Sequence, residues 1–230
     1  MQPIFITGIG TGIGKTLVSA IVTEALDACY WKPVQAGFAD GTDSEWVGER
    51  ISAGGPGAGG AGYEGQRRGN AGHGCIFPEL YKLRLPASPH IAAREEGVEI
   101  DLDAIAEALP AGRPLVIEGA GGLLVPLNGR QFVLDLVKRL DATVVLVSRN
   151  YLGSINHSLL TAEVCRQHGL RVAGWIFNDQ YLHYEQEIVA WSRIRAIGSV
   201  PFNPLPDAEF IQEQARLLGP ALREVLPGDQ

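Results

Sequence analysis

The stretch TGIGTGIGKT, residues 7–16, decides the fold. It follows a short apolar run, PIFIT (3–7), and leads into KTLVSAIVTEALD (15–27), where apolar residues recur at helical spacing. A strand, a glycine-rich loop and a helix in this order form a cradle of backbone N–H groups that suits phosphate. The sequence therefore predicts a phosphate-binding loop at this strand-to-helix junction.

Two glycine patterns compete for this loop. The dinucleotide pattern G-x-G-x-x-G, begun at Gly8, requires glycine where Ile13 stands, and begun at Gly10 it requires glycine where Lys15 stands. Neither register fits, so the dinucleotide pattern is rejected.

The triphosphate loop ends in Gly-Lys-Ser/Thr, which Gly14, Lys15 and Thr16 provide. In such a loop the lysine reaches the outer phosphates and the hydroxyl is offered to Mg²⁺. Five residues, rather than the usual four, separate Gly8 from Gly14. A plain glycine-rich turn before an ordinary helix is disfavoured, because lysine, hydroxyl and helix all follow in order.

Composition favours one globular domain over residues 1–230, with the glycine-rich residues 53–75 as a surface insert. The chain is 46% apolar, but no run is long enough to cross a bilayer. The net charge of -7 supplies no basic stripe for a nucleic acid, and RQFVLDLVKR (130–139) is interpreted as a solvated helix face. Neither a nucleic acid nor a membrane is expected as a partner.

The three cysteines, Cys29, Cys75 and Cys165, lie far apart and show no CxxC spacing. This argues against a disulfide framework and a zinc knuckle, and it favours a reducing compartment. The first residues, MQPIFITG, lack the charged start and the small-residue cleavage site of a secretory signal. The cytoplasm is therefore the expected location.

Apolar strands and helical stretches alternate along the chain. Further strands are predicted at 29–34, 114–122, 142–149, 171–179 and 194–202. Helices are predicted between them, including one capped by Ser88 with Pro89 at its first position. Strands that are apolar throughout predict a doubly wound α/β fold, a mainly parallel sheet with helices on both faces. Ligands of such sheets bind at the carboxyl ends of the strands.

Two carboxylates and a second lysine lie near those strand ends. Glu118 ends the run PLVIE, and its position next to the loop favours a functional role over that of a solvated acid. Asp43, in DGTDSE, fits a metal ligand and a helix N-cap equally well. Lys32, in YWKPV, is either solvent-exposed or a cation beside the γ-phosphate.

Weaker signals lie at three other strand ends. Asn178, Asp179 and the loop in VPFNPLP (200–206) either hold a nucleotide base or are ordinary strand-to-loop punctuation. In SRNYLGSINHSLLTA (148–162), a strand leads into a helix whose first turn could bind a carboxylate. Capping of that helix explains the same residues equally well.

Taken together, these segments resemble the dethiobiotin synthetase family. The matching segments are TGIGTGIGKT, WKPVQAG, TDSE, LPASPHIAA, VIEGAGGLLVP, YLGSINHSLLTAEV, AGWIFND and GSVPF. They occur in the family's order, and the family shares the longer loop. The combination of WKPVQAG, EGAGGLLVP and LGSINH is specific, whereas Gly-Lys-Thr alone is not.

The resemblance implies a cyclo-ligase of biotin biosynthesis. Such an enzyme closes a ureido ring on 7,8-diaminopelargonic acid with CO₂ and ATP, and it releases ADP and phosphate. One amine takes up CO₂ as a carbamate, which attacks the γ-phosphate to give a carbamic-phosphoric anhydride. The second amine then displaces phosphate, so no nucleophilic side chain is needed.

The resemblance also implies roles for individual residues. Lys15 and Lys32 are expected to be catalytic, and Thr16, Asp43 and Glu118 to hold Mg²⁺. The nucleotide is expected to contact Gly12, Ile13, Gly14, Lys15, Thr16, Leu17, Asp43, Glu118, Gly119, Ala120, Gly121, Asn178, Asp179, Pro201, Phe202 and Asn203. The diamine is expected to contact Lys32, Gly121, Gly153, Ser154, Ile155 and Asn156.

By the same resemblance the protein is expected to be a homodimer, in which LGSINH of the neighbouring subunit binds the carboxylate of the substrate. Three departures from the family pattern stand out. Gly12 replaces an acid found in some members, Ala36 replaces a serine or threonine found in many, and the insert is unusually rich in glycine. The insert could place the segment after Asp43 differently, and all three are expected to tune binding without abolishing activity.

Two other classes fit part of the pattern. Partition and septum-placing ATPases carry an extra lysine five residues before the loop lysine, where this chain has Gly10. A glutamine-dependent amidotransferase of the cobyric acid type needs a glutaminase domain, for which 230 residues leave no room.

Overall fold

The computed structural model describes residues 2–51, 75–111, 114–179 and 182–226. The strands are β1 (Ile4–Gly8), β2 (Cys29–Trp31), β3 (Val34–Ala36), β4 (Ile76–Phe77), β5 (Tyr81–Leu83), β6 (Leu115–Glu118), β7 (Thr143–Arg149), β8 (Val172–Asn178) and β9 (Ala196–Val200). The helices are α1 (Lys15–Ala25), α2 (Asp43–Gly48), α3 (Pro89–Glu95), α4 (Leu102–Glu107), α5 (Val133–Arg139), α6 (Ser154–Gln167), α7 (Glu185–Ser192) and α8 (Ala208–Val225). Apart from Cys75, the insert lies outside the described residues, so the single domain with a surface insert stays a prediction.

Seven parallel strands form the main sheet in the order β4-β2-β6-β1-β7-β8-β9. The predicted doubly wound fold is thus confirmed. The central strand β1 pairs with β6 on one side and β7 on the other, so that Ile6 lies opposite Glu118 and Gly8 opposite Val147. The loop after β1 therefore opens where the strand order changes direction, which is where ligands bind in such folds.

Alternation along the strands divides the core into two apolar clusters, one on each face of the sheet. Phe5, Trp31 and Ile117 belong to one cluster. Ile6, Tyr30 and Val116 belong to the other, together with Val18 and Ile21 of α1. Helix α1 thus lies over the second face, and its first turn reaches the carboxyl end of β6. In the described ranges, no helix combines the length and the apolar character that spanning a membrane would require.

The strand predicted at 29–34 is two strands in different sheets. Pro33 has no N–H for a ladder hydrogen bond, and the chain leaves the main sheet after Trp31. The Pro33 carbonyl instead accepts from Leu80 N and Tyr81 N, at 3.0 and 2.9 Å. Strand β3 then pairs with β5 in a separate two-stranded parallel sheet. Lys32 therefore lies just beyond the carboxyl end of β2, between the two sheets in sequence.

Two predicted helices differ in detail. Helix α3 begins at Pro89 after Ser88, as predicted, but the Ser88 hydroxyl contacts His90 Nδ1 at 3.0 Å and caps no backbone N–H. Helix α5 covers most of the basic segment that was interpreted as a solvated face. That interpretation holds for the basic side chains, since Arg130, Lys138 and Arg139 are exposed. The apolar side chains of the helix are buried instead: Val133, Leu134, Leu136 and Val137.

The expectation that the cysteines are unpaired is wrong. Cys29 and Cys75 form a disulfide, with 4.5 Å between their Cα atoms. Strands β2 and β4 are parallel neighbours in which Tyr30 lies opposite Ile76, so the residues just before them meet. A separation of 46 residues along the chain hides a contact that strand pairing creates.

We expect the thiols to report this pairing directly. Cys165 is buried, and burial raises the pKa of its thiol to about 12, so a thiol reagent at pH 8 should not label the native protein. In denaturant the unreduced chain should show one reactive thiol and the reduced chain three, as counted by mass spectrometry. Three thiols before reduction would contradict the disulfide.

Removing the bond should also weaken the fold. Because the disulfide closes a long loop, Cys75→Ser should lower the free energy of unfolding by about 2–4 kcal/mol. Denaturant titration measures this, and Cys165→Ser, which removes an unpaired cysteine, serves as the comparison. Equal stability of Cys75→Ser and the parent chain would show that the bond does not form.

Candidate active site

The glycine-rich loop takes a conformation that requires glycine at its end. Gly14 is the N-cap of α1 with φ +88°, in the left-handed region. A Cβ there would lie 1.9 Å from Asn178 Nδ2, which itself donates a hydrogen bond of 2.9 Å to the Ile13 carbonyl. Asn178, predicted to face the nucleotide, thus also fixes the loop from the end of β8.

Lys15 folds back over the loop. Its Nζ donates to the Gly10 carbonyl at 2.6 Å, and the side chain is buried. Burial lowers the pKa of Lys15 to about 8, against the opposing charge of Glu118 and with the support of the nearby Lys32 ammonium. A phosphate group in the loop would supply the counter-charge that this ammonium lacks.

Glu118 is the centre of the site and is only 1% exposed. Its Oε1 accepts from Thr16 Oγ1 and from Lys32 Nζ, each at 2.9 Å. The sheet register explains the second contact, because Trp31 pairs with Ile117 and the next residues of both strands meet at the sheet edge. Helix α1 supplies the first contact from its opening turn. The interpretation of Lys32 as a solvated side chain is therefore wrong.

Asp43 is not the N-cap of its helix. Thr42 caps α2 in a capping box, in which Thr42 Oγ1 accepts from Glu45 N at 3.1 Å and Glu45 Oε2 accepts from Thr42 N at 2.8 Å. Asp43 is therefore free to accept a hydrogen bond from Lys32. Although burial lowers the pKa of Lys32, the charges of Glu118 and Asp43 outweigh that effect and raise it.

The donor set fits the predicted magnesium site. Thr16 and Lys32 both donate to Glu118, and Lys32 also contacts Asp43, so that a hydroxyl and two carboxylates are linked through these contacts. In the part of the chain that the structure describes, no group of three or more His, Cys, Asp or Glu side chains converges. Mg²⁺ characteristically uses one or two carboxylates and completes its shell with phosphate oxygens and water.

The glycines after β6 pack against the start of the loop. Gly119 N donates to the Ile6 carbonyl at 2.9 Å, and Thr7 Oγ1 donates to the Gly121 carbonyl at 3.4 Å. Gly121 has φ +78°, and a Cβ on Gly122 would lie 3.0 Å from the Gly8 carbonyl. The predicted segment 119–121, which includes Ala120, therefore lies directly beside the phosphate loop.

A cavity of about 760 Å³ lies on the outer side of the loop. It is lined by residues 9–13 of the loop, by residues 149–152 at the end of β7 and just beyond it, and by His157 and Asp179. The predicted substrate segment borders it, since Gly153 is the N-cap of α6 with φ +102° and the buried Ser154 follows. Ile155 is partly buried and Asn156 is exposed in the same turn.

The other predicted nucleotide contacts are less closely tied to the loop. Asp179 forms a salt bridge of 3.3 Å with Arg149, and its N–H donates to the Val200 carbonyl at 3.0 Å, which brings the loop 201–203 beside β8. Within that loop, Pro201 and Phe202 are exposed, and Asn203 Oδ1 accepts from Leu205 N at 2.9 Å. Leu17, in the first turn of α1, packs against the core. Gly12, in the loop before α1, is exposed and has φ +71°.

Sequence reasoning missed three polar residues at the site. Tyr30 donates to Glu118 Oε2 at 2.8 Å, and Arg149 Nη1 lies 3.5 Å from the Gly12 carbonyl. Asn150 lines the cavity, is 2% exposed, and has no hydrogen-bond partner for its side-chain amide within the described residues. Position after an apolar strand could have drawn attention to Arg149 and Asn150, whereas nothing in the sequence pattern marks Tyr30.

A parallel sheet with a Gly-Lys-Thr loop, a buried strand-end acid and a second acid nearby defines a P-loop nucleotide-binding protein. A family model described as an AAA domain matches residues 2–58 and 64–209. Among solved structures, MinD from Pyrococcus horikoshii, complexed with Mg-ADP, has a TM-score of 0.57 and 15% identity over 98% of this chain and 96% of its own. A ParA family ATPase from Chlorobium tepidum has a TM-score of 0.53 and 12% identity over 99% and 93%. These likenesses show the fold alone.

Sequence comparison is more specific. The ATP-dependent dethiobiotin synthetase of Cytophaga hutchinsonii is 49% identical over 82% of each chain, and that of a Bradyrhizobium strain is 42% identical over 92% of each. The enzyme of Christiangramia forsetii is 38% identical over 96% of this chain and 98% of its own. The chain therefore belongs to the ATP-dependent dethiobiotin synthetase family. The predicted family is confirmed, and with it the enzyme class, a cyclo-ligase, against the partition-type alternative.

The loop geometry yields a stability prediction. Gly14→Ala should lower the free energy of unfolding by about 2 kcal/mol, because alanine is strained at positive φ and its Cβ would collide with Asn178. Gly10→Ala is the matched control in the same loop, since a Cβ there meets nothing within 4 Å. Denaturant unfolding without nucleotide compares the two, and equal stability would contradict the described loop.

Proposed function

We propose that this protein closes the ureido ring of dethiobiotin from 7,8-diaminopelargonic acid, CO₂ and ATP, and releases ADP and phosphate. The observation that carries the proposal is the contact of Lys32 with Glu118 and Asp43 directly beside Thr16 of the phosphate loop. The family relatives bear the name of this activity. We also propose the cytoplasm as the place of the reaction, because ATP is supplied there.

The proposed reaction balances without a protein nucleophile. One amine of the diamine adds to CO₂ and loses a proton, which gives a carbamate. A carbamate oxygen attacks the γ-phosphorus, the bond to the β–γ bridging oxygen breaks, and ADP leaves. The second amine attacks the carbonyl carbon of the resulting anhydride, phosphate departs with its electron pair, and the amine proton is lost as the ring closes.

The two lysines supply positive charge in this scheme. Lys15, held in the loop at Gly10, would turn to the outer phosphate oxygens, and Lys32 would stabilise the charge that develops on the transferring phosphoryl group. Thr16, Asp43 and Glu118 would hold Mg²⁺, which neutralises phosphate charge when bound. The nucleotide would extend along 12–17 and 118–121 toward Asn178, Asp179 and the 201–203 loop.

We further propose a homodimer in which α6 of one subunit completes the site of the other. Leu152, two residues before α6, is 82% exposed, and Asn156 in the first turn of α6 is exposed as well. Leu160, further along α6, is also 58% exposed, so this helix and the segment before it present large apolar side chains suited to a protein contact. The diamine would lie between Lys32 and Gly121 of one subunit and Gly153–Asn156 of its partner.

The reaction is tested with purified protein, 7,8-diaminopelargonic acid, bicarbonate and Mg-ATP. ADP should form only when the diamine is present, and mass spectrometry should detect the cyclic urea in equal amount. ADP formation at the same rate without the diamine, or no cyclic urea, would refute the proposed function.

Lys32→Ala should lower kcat about 100-fold or more, because it removes a cation from the transition state. Binding of ADP should persist, since the loop is intact. Lys138→Ala is the control, because Lys138 is exposed on α5 and contacts His168 instead. If kcat were unchanged in Lys32→Ala, Lys32 would have no role in the reaction.

Subunit sharing is tested by mixing two inactive variants. In a reannealed mixture of Lys32→Ala and Asn156→Ala, each heterodimer would carry one intact site, so activity should recover to about one quarter of the parent value. A mixture of Lys32→Ala and Lys15→Ala should stay inactive, because both changes lie on the loop side of the site. No recovery in the first mixture would place each complete site within one chain.

A further inference from the structure

We propose that Tyr30 is a positioning residue, whose hydroxyl holds one oxygen of Glu118 in the core so that the other faces the nucleotide and its metal. The inference rests on the proposed role of Glu118 and adds a residue that neither the loop motif nor the family pattern assigned. It follows from how the two carboxylate oxygens are divided among their partners.

The division is complete. Glu118 Oε2 accepts from Tyr30 Oη at 2.8 Å, while Oε1 accepts from Thr16 and Lys32 at 2.9 Å each. Tyr30 is 0% exposed, so its hydroxyl lies on the core side of the carboxylate. Thr16 and Lys32 lie on the side where the loop and Asp43 converge. Tyr30 thus holds Oε2 on the core side, and Oε1 faces the loop.

The strand register makes this arrangement geometrically direct. Tyr30 lies opposite Val116 on the neighbouring strand, and both belong to the cluster under α1. Because side chains alternate, Glu118 is on the same face as Val116, one residue pair further along. The ring of Tyr30 therefore spans that step along the sheet. Lys32, two residues after Tyr30, meets the same carboxylate from the strand end.

A carboxylate needs such an anchor because rotation about its last bond is soft. Without the hydroxyl, Oε2 would be buried with no partner, and turning it toward the site would regain hydrogen bonds at the expense of the orientation of Oε1. The Tyr30 hydroxyl is the donor in this contact, because a carboxylate oxygen can only accept. Partners that orient a metal ligand in this way typically change metal affinity 10–100-fold when they are removed.

A purely structural role makes a different prediction. If Tyr30 only fills the core, Tyr30→Phe keeps the ring, lowers the midpoint of unfolding and leaves metal binding unchanged. If Tyr30 positions Glu118, the same change weakens the cooperation between Mg²⁺ and nucleotide. The two roles are therefore separated by the ratio of ADP affinities with and without Mg²⁺, which stability alone does not move.

The experiment measures ADP binding by calorimetry with and without Mg²⁺, and Mn²⁺ bound with ADP by electron paramagnetic resonance. In Tyr30→Phe the metal-dependent gain in ADP affinity should fall about tenfold, the Mn²⁺ spectrum should change, and metal-free ADP affinity should stay the same. Tyr81→Phe is the matched control, because the Tyr81 hydroxyl accepts from Asp101 N at 3.0 Å, outside the contacts of Glu118. An unchanged gain in Tyr30→Phe would overturn the proposal.

Failure of the underlying function has a separate signature. If the parent chain itself gained no ADP affinity from Mg²⁺, the metal role of Glu118, and with it the positioning role of Tyr30, would be refuted before any variant is compared.

Should Tyr30→Phe fail to fold, ¹⁹F NMR of the chain labelled with 3-fluorotyrosine replaces it, on a Tyr151→Phe background that removes the tyrosine lining the cavity. One tyrosine resonance should then shift when Mg²⁺ joins the ADP complex, and the absence of any shift would overturn the proposal.

Discussion

The structure depends on supplying partners to one carboxyl group inside the protein. Glu118 is almost fully buried, and a buried carboxylate is tolerated only when it is paired and hydrogen-bonded. Its partners come from two parts of the chain: Thr16 on α1, and Tyr30 and Lys32 on and just after β2. Satisfying this one side chain therefore fixes the helix that follows the phosphate loop against the strand that carries the second lysine. The two segments that flank the loop are thereby held by the same side chain.

The two buried lysines differ in a way that separates their roles. Lys32 contacts two carboxylates, whose charges raise its pKa despite burial. Lys15 contacts a carbonyl, and burial lowers its pKa to about 8. Lys32 is therefore already compensated before any ligand binds, whereas Lys15 gains a full counter-charge only from an anion. This contrast fits a loop lysine that captures the phosphates and a strand lysine that remains in place during transfer.

The parts of this site that depend on short stretches of sequence could be predicted, whereas contacts between distant parts of the chain could not. The loop, the parallel sheet and Glu118 follow from short stretches whose chemistry is visible in order along the chain. The sequence also indicates that Thr42, and not Asp43, caps α2, because Thr42 and Glu45 have the spacing of a capping box. In contrast, the Cys29–Cys75 bond depends on β2 pairing with β4, and the Tyr30 contact depends on the register of β2 against β6. Neither pairing leaves a mark in the spacing of the residues concerned.

The fold alone does not decide what this loop serves, as the likeness to septum-placing and partition ATPases illustrates. A partition-type ATPase is expected to carry a lysine at the start of the loop, where this chain has Gly10. A side chain at that position would enter open space beside the cavity, because a Cβ on Gly10 meets nothing within 4 Å. The Gly10 carbonyl accepts a hydrogen bond from Lys15, and the second cation near the loop is Lys32, which contacts Glu118. The outer side of the loop is thereby left open to the cavity that residues 9–13 line.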